Sequence, residues 1–296
     1  MALFDSTVQL SGECQRLIEY SRSSSGSNGY LTELERIWEA YRPFASPDFR
    51  LQLLTDGSKF YSLTWEMMLA AILLQHGYPL QASVDDSRPD LCVIHKSRKI
   101  WIECCLPTVG HPDNPNSVKQ NPPDGEFHAI DPDKSVLRCT AALRVKNEQH
   151  QRWLEQGICS ANEPFIIAIN GKDLQLGIHN SSLPDILRAL YGTGDMYAVI
   201  DPKDPTYRES GYQFKPTILK SGNREIQTTF FSERENANVS GAIYSSYWIG
   251  HYSSSPQNCY VENVNAHNRT GPILSEFCQI YEYGPGQIRM QNTNDH

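Results

Sequence analysis

The spacing of apolar side chains divides the chain into a mostly helical first part and a later part rich in strands. Residues 61–76, YSLTWEMMLAAILLQH, are apolar around nearly the whole helical circumference, which predicts a buried helix. Ser62 or Thr64 is positioned to cap it, and Gly77 with Pro79 stops it. Residues 134–156 predict a second long helix, preceded by Pro132 and Asp133 and ended by Gly157, with Asp133 or Ser135 as the expected cap. Shorter helices are expected over 8–20, 31–41 and 183–191; the middle one gathers Leu34, Ile37, Trp38 and Tyr41 on one face. Residues 91–95 and 99–106 are rich in β-branched and aromatic side chains and flank the polar turn Lys96-Ser97-Arg98, which predicts a hairpin. A strand over 78–84 precedes it. PFIIAIN, 164–170, reads as a strand buried on both faces, and 196–200 as another apolar strand. Shorter β-like runs follow at 228–232, 241–252 and 259–264.

From residue 61 to about 170 the order is helix, three strands, helix, strand. This predicts an α/β fold whose core, 57–200, has a mixed central sheet. A helical N-terminal appendage spans 1–56, and its SSSGSNG segment reads as a flexible joint. A β-rich C-terminal extension spans 201–296. The proline-rich stretch 110–133 reads equally as a flap and as a tolerated insertion.

Composition narrows the function classes. The 296 residues are 39% hydrophobic and 20% charged, ordinary values for a globular chain. No apolar run approaches the ~18 residues of a membrane span, and the N-terminus lacks the basic and apolar regions of a secretory leader. A cytoplasmic, reducing setting is therefore expected, with the eight cysteines unpaired and the sequons at Asn180, Asn238 and Asn268 unused. The formal charge of −8 argues against nucleic-acid binding through bulk electrostatics but leaves room for a local basic groove. The histidines show no zinc spacing.

The hairpin carries the candidate chemistry. Antiparallel pairing about its turn brings Asp90 and Glu103 opposite each other or one diagonal step apart, with Cβ atoms roughly 5–8 Å from each other. Two carboxylates at that distance suit one hard divalent cation. Glu66 is the only acid of the first long helix. It reads either as a dipole-stabilised carboxylate or as an acid aimed into the site. On the second long helix Arg138, Ala142, Lys146 and Gln149 form one stripe. Cys104-Cys105 reads as a pair of small hydrophobes, or as a nucleophile if His95 approaches. Tyr244, Tyr247, Trp248 and Tyr252 read as packing, or as a base-stacking cluster.

Pro89-Asp90, Glu103 and the order of elements around them resemble the PD-(D/E)XK nuclease-like superfamily, in particular restriction-endonuclease-like proteins of bacteria. WIECCLPTVG (101–110), SGAIYS (240–245) and YVENVNAHNRTGPIL (260–274) are similar to stretches of those proteins, so the resemblance covers roughly residues 61–275. It implies an αβββαβ core and a metal-dependent endonuclease hydrolysing DNA phosphodiester bonds. Mg2+ or Mn2+ would be held by Asp90, Glu103, Glu66 and the backbone carbonyl of Cys104. Where the superfamily has a lysine this chain has Cys105, and a neutral thiol cannot steady developing phosphorane charge. Some members supply that lysine from the following helix, which makes Lys146 the candidate, with Arg138 and Gln149 as expected phosphate or water contacts. The alternative for Lys146 is an ordinary exposed helical lysine; a catalytic role requires it within roughly 10 Å of both carboxylates. DNA or another nucleic acid is the expected partner, no membrane is expected, and a homodimer is compatible with the reading. The alternative function is a degenerate module of the same fold that binds nucleic acid or protein without chemistry.

Overall fold

The computed structural model describes residues 2–4, 8–23, 28–83, 87–119, 131–174, 184, 186–246, 258–271, 273–284 and 287–291. The first part of the chain is helical: α1 (Gly12–Ser23), α2 (Asn28–Tyr41), α3 (Phe49–Thr55) and α4 (Phe60–Gln75). The hairpin β1 (Leu91–His95) and β2 (Arg98–Cys105) follows, then α5 (Pro132–Glu155) and β3 (Phe165–Asn170). After α6 (Ile186–Tyr191) the chain is β-rich: β4 (Thr193–Asp201), β5 (Asp204–Phe214), β6 (Thr217–Lys220), β7 (Arg224–Gln227), β8 (Gly241–Ser245), β9 (Asn258–Glu262), β10 (Cys278–Gly284) and β11 (Gln287–Gln291).

The architecture is mixed α/β. One seven-stranded mixed sheet has the order β1-β2-β3-β8-β9-β10-β11. β2, β3 and β8 are parallel neighbours, and β1 and β9 run antiparallel to them. Alternation along β3 explains why it is apolar throughout. Ile166 and Ala168 face a cluster shared with the N-terminal helices; Phe165, Ile167 and Ile169 face a cluster shared with α5 and α6. Helices thus cover both faces of the sheet. α4 is fastened to its middle by Trp65, whose Nε1 donates to the Ala168 carbonyl at 3.0 Å.

Several expectations change. The helices read as an appendage share a single buried cluster with α4 and the hairpin: Leu34, Ile37, Tyr41, Phe49 and Leu53 pack with Leu91, Val93 and Ile102. The strand expected over 78–84 is reduced, among the described residues, to one bridge between Leu80 and Val93, and Val84 lies outside them. The hairpin turn contains only Lys96 and Ser97, both with positive φ (48° and 65°), and Arg98 already pairs with His95. Two left-handed residues match the strand twist of a two-residue hairpin. α4 begins at Phe60 after Lys59, without a side-chain cap, so neither Ser62 nor Thr64 caps it. α5 is capped by Asp131, whose carboxylate accepts from the Asp133 amide at 3.2 Å.

The apolar run 196–200 does form a strand, but outside the main sheet. It belongs to the β4–β5 ribbon, where Met196 and Ile200 are 64% and 62% exposed. Residues 230–232, read as β-like, form a 3-10 turn. Tyr247, Trp248 and Tyr252 of the aromatic cluster lie outside the described residues; Tyr244 is fully buried in the core. All eight cysteines are free and buried. Among the described residues no helix is long and apolar enough to cross a membrane.

Candidate functional site

The site is built from the mouth of the β1–β2 hairpin. Leu91 pairs with Ile102, so the next residues outward, Asp90 and Glu103, stand opposite each other on one face. Two hydrogen bonds latch them. The Asp90 amide donates to Glu103 Oε2 at 3.2 Å, and the Cys104 amide donates to Asp90 Oδ2 at 2.7 Å. The Asp90 side chain thereby continues the ladder beyond the last regular pair. Asp90 is half-buried, whereas Glu103 is only 3% exposed.

Lys146 comes from the middle of α5, two turns beyond Arg138 on the same stripe. Its Nζ donates to Glu103 Oε1 at 2.6 Å and approaches Gln149 Oε1 at 3.5 Å. Burial raises the pKa of Glu103, opposed by the Lys146 ammonium and by the Asp90 amide. Burial would lower the pKa of Lys146, but the Glu103 carboxylate, with Asp90 behind it, outweighs that and holds it above its ordinary value. Lys146 therefore stays a cation at neutral pH. Burial pushes the Cys105 thiol up to about 12, so that side chain is neutral.

Glu66 reaches the site from the opposite layer. It sits in the second turn of α4, beyond the reach of the helix N-terminus, so the dipole reading does not hold. At 7% exposure it accepts a hydrogen bond from Tyr41 of α2. Burial first, and the Glu66 charge second, hold the Tyr41 phenol well above its ordinary pKa. Glu66, Asp90 and Lys146 all line a cleft of about 420 Å³, lined also by Phe49 and Gln52 of α3 and by Lys59. Glu103 is not a lining residue and is joined to the cleft through Asp90 and Lys146.

Two expected contacts move. Arg138 is not a cleft residue: its Nε and Nη2 donate to the carbonyl oxygen and Oγ1 of Thr108 at 2.6 and 2.8 Å. The guanidinium finds the loop after β2 nearer than the cleft, so Arg138 straps that loop instead of facing a phosphate. Gln149 likewise is not a cleft residue and bears on the site only through the Lys146 ammonium. Cys104 lines the cleft, but its amide serves Asp90 and burial drives its thiol well up. His95 sits at the turn end of the hairpin, paired with Arg98, far along the strands from Cys104-Cys105, so the cysteine-nucleophile reading finds no base there.

Sequence reasoning missed Tyr41, Lys59 and Arg88. The first two lie in the segment before α4 or at its start, where the chain offers no motif. Arg88 had a signal, since it immediately precedes Pro89-Asp90. Comparison of the chain with protein-family models, curated proteins and solved structures gives no match in any of the three.

Proposed function

We propose that this protein is a divalent-metal-dependent phosphodiesterase that cleaves DNA, with a restriction-endonuclease-like core of the PD-(D/E)XK type. The observation that carries the reading is the 2.6 Å contact between Lys146 and Glu103 directly behind Asp90. A cation from the helix after the hairpin in contact with Glu103 supports this reading, because it could do the work that a lysine at position 105 would do. The order α4, Leu80 bridge, β1, β2, α5, β3 supports it too, with β1–β2 antiparallel and β2–β3 parallel.

Among the described residues no group of three or more His, Cys, Asp or Glu side chains is arranged to hold a metal ion. What the cleft offers is the carboxylates of Asp90 and Glu66, both hard oxygen donors, with Glu103 joined to the Asp90 amide next to them. That set fits magnesium or manganese, which can bind through one or two carboxylates and keep much of their water, and does not fit zinc. When bound, such an ion supplies positive charge for a scissile phosphate and acidity for water.

The chain's own residues do the rest. The Lys146 ammonium has three donors, of which Glu103 and Gln149 engage two, leaving one for charge that develops on a phosphate oxygen. Because its pKa is raised it stabilises charge and does not act as a base. Tyr41 fixes Glu66, and the Cys104 amide fixes Asp90, so both acids enter the cleft with one oxygen already committed.

The test is nicking of supercoiled plasmid with magnesium or manganese by wild type, Asp90→Ala and Glu103→Ala. Each variant is expected to lose about a hundredfold or more in rate. Equal, metal-independent cleavage by all three overturns the proposal. So does an inert wild type that binds no magnesium by titration calorimetry, which is the behaviour of a degenerate binding module.

A further inference from the structure

Four cations are candidates to meet a phosphate near the acid pair, and three are engaged. Lys146 is held by Glu103, Lys59 donates to Gln52 Oε1 at 2.9 Å, and Arg138 is strapped to Thr108. Arg88 is different. It lines the same cleft as Asp90, Glu66 and Lys146, yet its guanidinium makes no ion pair with an acid among the described residues. Its Nε is buried and has no hydrogen-bond partner. Buried donors are nearly always satisfied, and a forked guanidinium matches phosphate oxygens in pairs.

Local sequence holds it there. Arg88 precedes Pro89, which confines its backbone to the extended region, and Pro89 is itself buried. Cys92, which follows Asp90 on the same side of β1, packs in the cluster shared with α5. Lys146 approaches Glu103 from that same face.

We infer that Arg88 is a second phosphate-contacting cation of the cleft, beside Lys146, taking a non-bridging oxygen of a nucleic-acid phosphodiester next to Asp90 and holding it before any charge develops. This rests on the reading of the cleft as a phosphodiester site, and it transfers to Arg88 the role that the helix stripe suggested for Arg138.

Binding and cleavage separate the two ideas. Fluorescence anisotropy of a short fluorescein-labelled DNA, duplex and single strand, is measured in EDTA, where no metal-dependent cleavage occurs. Wild type, Arg88→Gln, Arg88→Lys and Arg36→Gln are compared across a salt series. Arg36 is an exposed residue of α2 paired with Glu33 and reports loss of a charge elsewhere. Arg88→Gln is expected to weaken binding about tenfold or more and to shallow the salt slope by about one, with Arg88→Lys intermediate and Arg36→Gln near wild type. The inference is overturned if Arg88→Gln binds within twofold of wild type with an unchanged slope, or if wild type binds neither DNA. Should Arg88→Gln fail to fold, Arg88→Lys carries the test: it keeps the charge, so an affinity equal to wild type removes the fork-specific contact. A wild type that binds through Arg88 but never nicks plasmid would leave the inference standing and remove the nuclease reading. Plasmid nicking at equal rates by wild type and Arg88→Gln would do the reverse.

Discussion

Lys146 Nζ lies 2.6 Å from Glu103 Oε1, although the two residues are 43 positions apart in the chain. The pair bridges α5 and the sheet, and only 4% of the Glu103 side chain is exposed. Removing one partner leaves the other charge with little solvent to stabilise it.

Lys146→Met is therefore expected to destabilise the fold by about 3–5 kcal/mol at neutral pH, read from urea denaturation. The double variant Lys146→Met/Glu103→Gln should recover most of that loss, because no buried charge remains. In plasmid nicking neither the single nor the double variant should retain more than about one hundredth of the wild-type rate. A double variant as unstable as the single one would show that packing of the lysine stem, and not charge, is what matters.

Tyr41 and Glu66 join α2 to α4 across 25 residues of chain. Tyr41→Phe removes the donor and leaves a nearly buried carboxylate with one fewer hydrogen bond, at an expected cost of about 1–3 kcal/mol. Glu66→Gln should cost less in the Tyr41→Phe background than alone, and a double-mutant cycle should return a coupling of about 0.5–3 kcal/mol. Additive effects would mean that the two side chains do not act on each other.

Arg138→Ala should act on the loop after β2 and not on ligand binding. Hydrogen exchange of the amides between Thr108 and Val118 is expected to accelerate, since the bonds from Arg138 to Thr108 are lost. The salt slope of DNA binding should not change. A shallower slope would restore Arg138 as a phosphate contact.

His150 supplies a pH dependence. It is buried, stacked on Phe165 with ring centroids 3.8 Å apart, and neither ring nitrogen has a hydrogen-bond partner. Burial lowers its pKa from 6.5 to about 4. The folded state then binds fewer protons than the unfolded chain between those values, so this residue's contribution is intact above pH 6.5 and is lost as pH falls toward 4. The full loss is on the order of 3 kcal/mol. His150→Phe should flatten the stability profile in that window; an unchanged profile would assign the acid sensitivity to other groups.

Local pattern was enough to place the hairpin, α4 and α5, and to put Asp90 opposite Glu103. Those features depend on side-chain alternation and on helical periodicity, which neighbours in sequence dictate. The same logic put Lys146 on a stripe with Arg138, and the resemblance picked Lys146 as the cation beside Glu103 and Arg138 as a phosphate contact. What tertiary packing changed is Arg138, which the loop carrying Thr108 captures as α5 packs across the sheet. Local pattern also treated the run 196–200 as core, yet those side chains face solvent, because β4 pairs with β5 outside the main sheet. The N-terminal helices offered no motif, and Tyr41 became part of the site only through burial against α4. The sequence by itself determined the acid pair and the elements that carry it. The third acid's partner, the loop that takes Arg138 and the set of residues lining the cleft were decided by tertiary packing, since each depends on surfaces brought together from distant parts of the chain.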